Sequence, residues 1–155
     1  MRMTQHTDYA LRMLIYLATR SGDACTVSDV ADAYGLSRNH LLKVALNLKN
    51  MGLVETTRGR TGGIALACPP ERINLGRLVR RMEDDFALVE CLKTDGGHCV
   101  ITPACRLKDV VREALDAYLA VFDKYSLADL TANIDILARL LDIRPGKDNV
   151  ITSAD

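Results

Sequence analysis

The chain has 155 residues, 48% of them apolar and 26% charged, and its 20 Lys and Arg balance its 20 Asp and Glu. That composition is globular and excludes disordered, collagen-like and low-complexity chains; the length excludes a large multidomain enzyme and leaves room for one domain plus an appendage, or for a subunit that completes its core in an oligomer. The zero net charge hides an asymmetry: residues 1–35 carry three basic against four acidic side chains, residues 36–81 nine against two, and residues 82–155 eight against fourteen.

In chain order, Tyr9, Ala10, Met13, Leu14, Leu17 and Ala18 recur at helical spacing from Thr7 to about Arg20, with Arg12 and Thr19 outside the stripe. His6 precedes this helix and is expected to face solvent. Thr26-Val27-Ser28-Asp29 is a capping-box start for a short second helix with Val30, Ala31 and Ala33 inward, ended by Gly35. Ser37 is the expected N-cap of a third helix, Arg38 to Met51, whose stripe is Leu41, Val44, Ala45, Leu48 and Met51. Leu53 to Arg58 and Ile64 to Cys68 read as two strands around the glycine-rich segment 59–63, a hairpin wing. Residues 74–83 return to helical spacing. Residues 85–102 lose periodicity, a loop longer than compact domains usually carry without a functional reason. Thr102-Pro103 then predicts a long helix start, and Ser126-Leu127-Ala128-Asp129 caps a last helix reaching about Leu141, followed by a tail expected to be mobile.

Two helices joined through Gly35-Leu36-Ser37 and followed by a hairpin predict a winged helix-turn-helix inside the basic block. On the third helix Asn39, Lys43, Asn47 and Asn50 fall on one side, opposite Leu41 and Leu48, with Ser37, Arg38 and His40 at its N-terminal end. Amide and cationic side chains pair with adenine and guanine edges in the major groove, and a helix N-terminus favours phosphate. Arg58 and Arg60, flanking Gly59 in the wing, suit a narrow minor groove. The partner these residues imply is double-stranded DNA.

Five cysteines punctuate the chain. The longest apolar run, Met13 to Ala18, is six residues, against the roughly 20 that span a bilayer. No cleavage site follows Arg2, so a cytoplasmic protein without membrane contact is expected, and there thiols serve metal or redox chemistry better than disulfides. Cys91, Cys99 and Cys105 give C-x7-C-x5-C in and just after the long loop. Thiolates suit zinc, iron–sulfur clusters and Cu(I), and a cluster normally takes four ligands, so one more is needed. His98, Glu90 and Asp95 are local candidates for it, and a residue from elsewhere or from a second subunit is another. Cys25 and Cys68, at a loop–helix junction and a strand end, are not expected to be ligands.

The stretches "MRMTQHTDYALRMLIYLA" at 1–18, "YGLSRNHLLKV" at 34–44, "TRGRTGGIAL" at 57–66 and "CVITPACRLKDVV" at 99–111 resemble the Rrf family of winged-helix regulators, and within it the nitric-oxide-sensing iron–sulfur repressors. The resemblance covers most of the chain. It implies a mainly α fold with a small β-hairpin wing: a winged helix-turn-helix domain over 1–83, a cluster-binding loop over 84–102, a dimerisation helix and C-terminal helix over 103–142, and a tail over 143–155. It also implies a homodimer holding one iron–sulfur cluster per subunit on Cys91, Cys99 and Cys105, with Asp8 from the partner's first helix as the fourth ligand. Without the resemblance Asp8 reads as a carboxylate stabilised by the helix dipole. A branch of the family with a His three residues past its last Cys is disfavoured, since Lys108 stands there. The x7 spacing leaves 4Fe–4S, the preferred form, beside 2Fe–2S. The implied activity is repression of an operator that is released when nitric oxide reacts at the iron. A thiol-redox, iron-cluster-status or zinc-responsive regulator, or a cofactor-independent one acting through a protein partner, uses the same residues. An enzyme is disfavoured, since no Ser/His/Asp set or P-loop is present.

Overall fold

A computed structural model describes residues 2–20, 24–57, 63–93 and 97–143. Helix α1, Gln5–Thr19, starts two residues earlier than the apolar stripe indicates, because Thr4 caps it by accepting from the Thr7 N–H at 3.2 Å. The Thr4 N–H and hydroxyl both donate to Glu83 Oε1, each at 3.0 Å, which pins the start of α1 to the chain just past the fourth helix. Thr19, expected outside the stripe, is buried; its hydroxyl donates to the Ile15 carbonyl at 2.8 Å and so carries no unpaired polar group into the core.

Helix α2, Val27–Tyr34, opens on the predicted Thr26–Asp29 capping box and closes on Gly35, whose φ of 62° is the left-handed turn that the helix-turn-helix needs. Helix α3, Arg38–Asn50, buries Leu41, Val44, Ala45 and Leu48, and leaves Met51 half-buried just past its end. The hairpin is shorter than predicted: β1, Val54–Thr56, pairs antiparallel with β2, Ile64–Leu66, in the register Val54 opposite Leu66. Cys25 adds a one-residue bridge to Ile64 on the other edge of β2. Helix α4, Leu75–Met82, is capped by the Asn74 side chain, which accepts from the Arg77 N–H.

Two expectations fail on local hydrogen bonding. Thr102 does not cap a helix: its hydroxyl donates to the Cys99 carbonyl at 2.7 Å, Thr102–Ala104 forms a 3-10 turn, and helix α5 begins after Cys105, spanning Arg106–Asp123. The last helix starts on the predicted Ser126–Asp129 capping box but splits into α6, Leu127–Leu130, and α7, Ile134–Leu140. At the break the Thr131 hydroxyl bonds back to the Leu127 carbonyl at 3.1 Å, a local bond that competes with continued helix.

Helix α1 is the spine, packing on α3, β2, α4, α6 and α7. Its Met13 and Leu14 are fully buried in one core with Leu41, Leu48 and Val54. Helix α5 joins this head through α4. Arg80 pairs bidentately with Asp123, the Asn74 amide donates to the Asp123 carbonyl at 2.8 Å, and the Leu75 N–H donates to the Tyr125 carbonyl at 3.0 Å. The bond from Arg80 holds the Asp123 carboxyl below the ordinary aspartate range. A carboxyl whose native pKa is depressed contributes stability above its unfolded pKa of about 3.9 and loses it as pH falls through the native value. Both partners are exposed, so the effect is small. Melting temperatures across pH are expected to show Asp123→Asn below the parent at pH 7 and converging with it in acid; a pH-independent difference would reject the ion pair as its cause. No described helix is long and apolar enough to cross a membrane.

Candidate nucleic-acid interface and cysteine loop

Burial on α3 divides the helix as its sequence dictates. With Leu41, Val44, Ala45 and Leu48 turned into the core, Arg38, Asn39, His40, Lys43, Asn47 and Asn50 are all exposed along the outer side. Ser37 stands at the N-cap position, as expected, but is exposed and its side chain makes no cap bond, so the first N–H groups of α3 keep their affinity for an anion. Arg38 is steadied by donating from Nε to Ser28 Oγ at 3.0 Å. Lys49 ties the far end of α3 to the wing by donating to Thr56 Oγ1 at 2.9 Å. Arg58 and Arg60, the expected minor-groove residues, lie outside the described residues.

His6 corrects its expected place. It lies within α1, half-buried, and Asn47 Nδ2 donates to its Nε2 at 2.8 Å. Neighbouring Tyr9 brings its ring within 6.3 Å of the His40 ring. The first turns of α1 thus lie against the exposed side of α3, a contact that sequence reasoning missed because its partners are 41 residues apart.

The cysteine loop is folded back on itself. Cys91 is half-buried in a 3-10 turn, Glu90–Leu92, packed against α5; Cys99 is exposed; Cys105 is half-buried at the N-cap position of α5. The His98 N–H donates to Glu90 Oε1 at 3.1 Å, and Gly97 passes so near that a Cβ there would lie 2.5 Å from the Glu90 carbonyl oxygen. The Thr102 N–H donates to the Cys99 carbonyl and the Cys105 N–H to the Thr102 carbonyl. These bonds link Glu90 to His98, and Cys99 through Thr102 to Cys105 at the start of α5. Asp95, a candidate fourth ligand, lies outside the described residues, and Glu90 is engaged with His98. Among the described residues no group of three or more His, Cys, Asp or Glu side chains is gathered closely enough to hold a metal ion.

The donor set nevertheless fits an iron–sulfur cluster. Its thiols are the ligand type a cluster takes, Cys105 stands where α5 has no side-chain cap, and Arg106, Lys108 and Arg112 line a pocket with it against the one carboxylate of Asp109, so the helix dipole and the balance of charge favour a negatively charged group. Asp8 lies elsewhere in the protomer, in the first turn of α1, paired with Arg12 at 2.8 Å; the Arg12 guanidinium sits 5.9 Å from the centre of the Tyr34 ring at the end of α2. Cys25 is buried in the core, and burial pushes its thiol up to about 11. Iodoacetamide at pH 7.5 is therefore expected to label Cys99 in the folded metal-free protein and spare Cys25 until denaturant is added, read by peptide mass; early labelling of Cys25 would contradict its burial.

The family model for Rrf2, described as an iron-dependent transcriptional regulator, matches residues 3–133. The HTH-type transcriptional regulator NsrR of Bacillus subtilis is 50% identical over 145 residues, 93% of this chain and 99% of that protein. The NsrR of Bacillus licheniformis is 49% identical over 142 residues, 91% and 99% of the two chains. Among solved structures, CymR, the global cysteine regulator of B. subtilis, superposes with a TM-score of 0.68 at 27% identity, covering 86% of this chain and 98% of its own. The IscR of T. potens does so with a TM-score of 0.66 at 26% identity, covering 86% and 88%. These relatives are regulators, not enzymes. With a family model spanning most of its length and curated relatives at about half identity over more than nine-tenths of it, the chain belongs to the Rrf2 family of transcriptional regulators.

Proposed function

We propose that this protein is a homodimeric repressor that reads operator DNA with α3 and the wing. It carries an iron–sulfur cluster, 4Fe–4S in preference to 2Fe–2S, on Cys91, Cys99 and Cys105 with Asp8 of the partner subunit, and it leaves its operator in response to nitric oxide. The observation that carries the reading is the joining of two faces by α1: the polar side of α3 packs against the helix whose first turn holds Asp8. The relatedness to transcriptional regulators supports the regulator part, and the iron dependence of the Rrf2 family supports a bound iron group.

Asn39 and Asn47 each offer an amide that pairs with an adenine edge, Lys43 a donor for guanine or phosphate, and Ser37 and Arg38 hold a phosphate at the uncapped end of α3. Arg58 and Arg60 take the minor groove beside it. When bound, the cluster supplies iron, for which nitric oxide is a strong ligand. Asp8, held to Arg12 and through it to Tyr34, gives the partner's cluster loop a grip on both α1 and α2. Such a grip affects DNA only if the cluster binds the operator-competent arrangement more tightly than the other.

The deciding experiment is the visible spectrum of anaerobically purified protein with iron and sulfide assays, followed by gel shift of a duplex selected from random sequence, before and after nitric oxide. With no Trp and five Tyr, the chain adds no visible colour of its own. The expected result is a broad visible band with matching sulfide, altered by nitric oxide as the duplex is released, and Asp8→Ala blunting the response. A colourless protein after reconstitution with iron and sulfide refutes the cluster, and bound zinc in its place identifies a zinc-responsive regulator.

A further inference from the structure

We propose that the cleft between the first turns of α1 and the N-terminal half of α3 seats one phosphodiester of the operator backbone, so that α1 touches DNA alongside the reading helix. The inference rests on the DNA-binding reading above and adds a site to it. The cleft has a volume of about 190 Å³ and is lined by Gln5, His6, Tyr9, His40 and Lys43. That is about six water volumes, room for a phosphate group. Every lining side chain carries a hydrogen-bond donor or can do so, and none is a carboxylate. Asp8, the acid nearest in sequence, is turned to Arg12.

The donors divide by role. His6 Nε2 is taken by Asn47, which makes His6 a fixed wall and steadies the base-reading amide. The Gln5 amide, the Tyr9 hydroxyl, a His40 ring N–H and the Lys43 ammonium remain as donors. A phosphodiester presents one negative charge on two unbridged oxygens, each accepting several such bonds, and charged acceptors make the stronger hydrogen bonds. Position agrees with chemistry. A helix lying in the major groove has base edges at the groove floor and sugar–phosphate strands at its walls, and an element packed alongside that helix meets the wall.

The test uses full-length protein and the selected duplex, with a methylphosphonate placed at one linkage at a time. Gln5→Ala combined with Tyr9→Phe keeps the ring beside His40 and removes two neutral donors. The double variant is expected to bind operator and unrelated duplex about tenfold more weakly, with the salt dependence unchanged because no charge is lost, whereas Lys43→Ala flattens the slope of log affinity against log salt by about 0.9. At one linkage per half-site the methylphosphonate should weaken the parent and cost the double variant less, since only His40 and Lys43 remain to lose their contact there. A double variant that binds like the parent, or loses equally at every linkage, overturns the seat. Inorganic phosphate shifting the His40 ring resonances while the duplex stays bound would assign the cleft to a free anion and also overturn it. If Arg38→Ala and Lys43→Ala bind the duplex normally too, the reading of DNA by α3 has failed, whatever the fate of the seat.

Discussion

Cys99→Ser is expected to yield a protein that stays colourless after anaerobic reconstitution with iron and sulfide, folds as before, and binds operator about a hundredfold more weakly than the reconstituted parent. The three parts have separate causes. Colour is lost because a serine hydroxyl is a hard, protonated oxygen where iron in a cluster takes thiolate, and three cysteines leave no spare in the loop. Folding persists because Cys99 is exposed and supports its turn through the backbone: it is the Cys99 carbonyl, not the thiol, that accepts from Thr102. Operator affinity falls because a ligand that stabilises one arrangement of two reading heads shifts the population by its differential affinity, and about 3 kcal/mol of such preference is about a hundredfold. Cys68→Ser, at the foot of the wing, is the control and keeps iron, sulfide and colour. Iron and sulfide retained by Cys99→Ser would remove this cysteine from the ligand set.

What the sequence made legible follows the range of the interaction that decides it. The capping box at Thr26 and Asp29, the turn at Gly35 and the stripe Leu41, Val44 and Leu48 involve neighbours within one or two turns, and they determine the helix-turn-helix and its polar side. The start of α5 was misplaced by another local bond, since a Thr before Pro can cap a helix or, as here, turn its hydroxyl to the carbonyl three residues back. The split between α6 and α7 has the same origin at Thr131, where the apolar pattern runs on but the backbone does not. Asn47 and His6 could not be paired from sequence, because only the packing of α1 on α3 brings them together. For the candidate cluster site the sequence supplied donors and spacing. Folding adds the turns at Glu90–Leu92 and Thr102–Ala104 and the bond from the His98 N–H to Glu90, which bend the loop back on itself, and among the described residues it gathers no three donors around one point.

Val110→Asp is expected to make the protein monomeric in sedimentation and to weaken binding to a two-half-site operator by about a hundredfold, leaving affinity for a single half-site unchanged. Helix α5 has 18 residues and buries only Leu119. One side faces its own protomer, where Tyr118 and Phe122 meet edge to face at 5.1 Å. The other side is apolar and uncovered: Leu107 is 58% exposed, Val110 60% and Val121 52%, with exposed Ala114 and Ala117 between them. Those five positions follow steps of three and four, the spacing by which two helices pack their seams together, and the small residues at the centre permit a close approach. In a two-fold seam each position lies near its own copy or the copy of a neighbour, so an aspartate at Val110 buries two carboxylates without partners, a far larger penalty than the loss of two valine contacts. Arg80, Asp123 and Asn74 hold the reading head to the C-terminal end of α5, so in the proposed dimer this seam would set the distance between the two copies of α3. Losing it leaves each head able to read one half-site but removes the gain in effective concentration that the second contact brings. A variant that still sediments as a dimer would place the subunit interface on some other face.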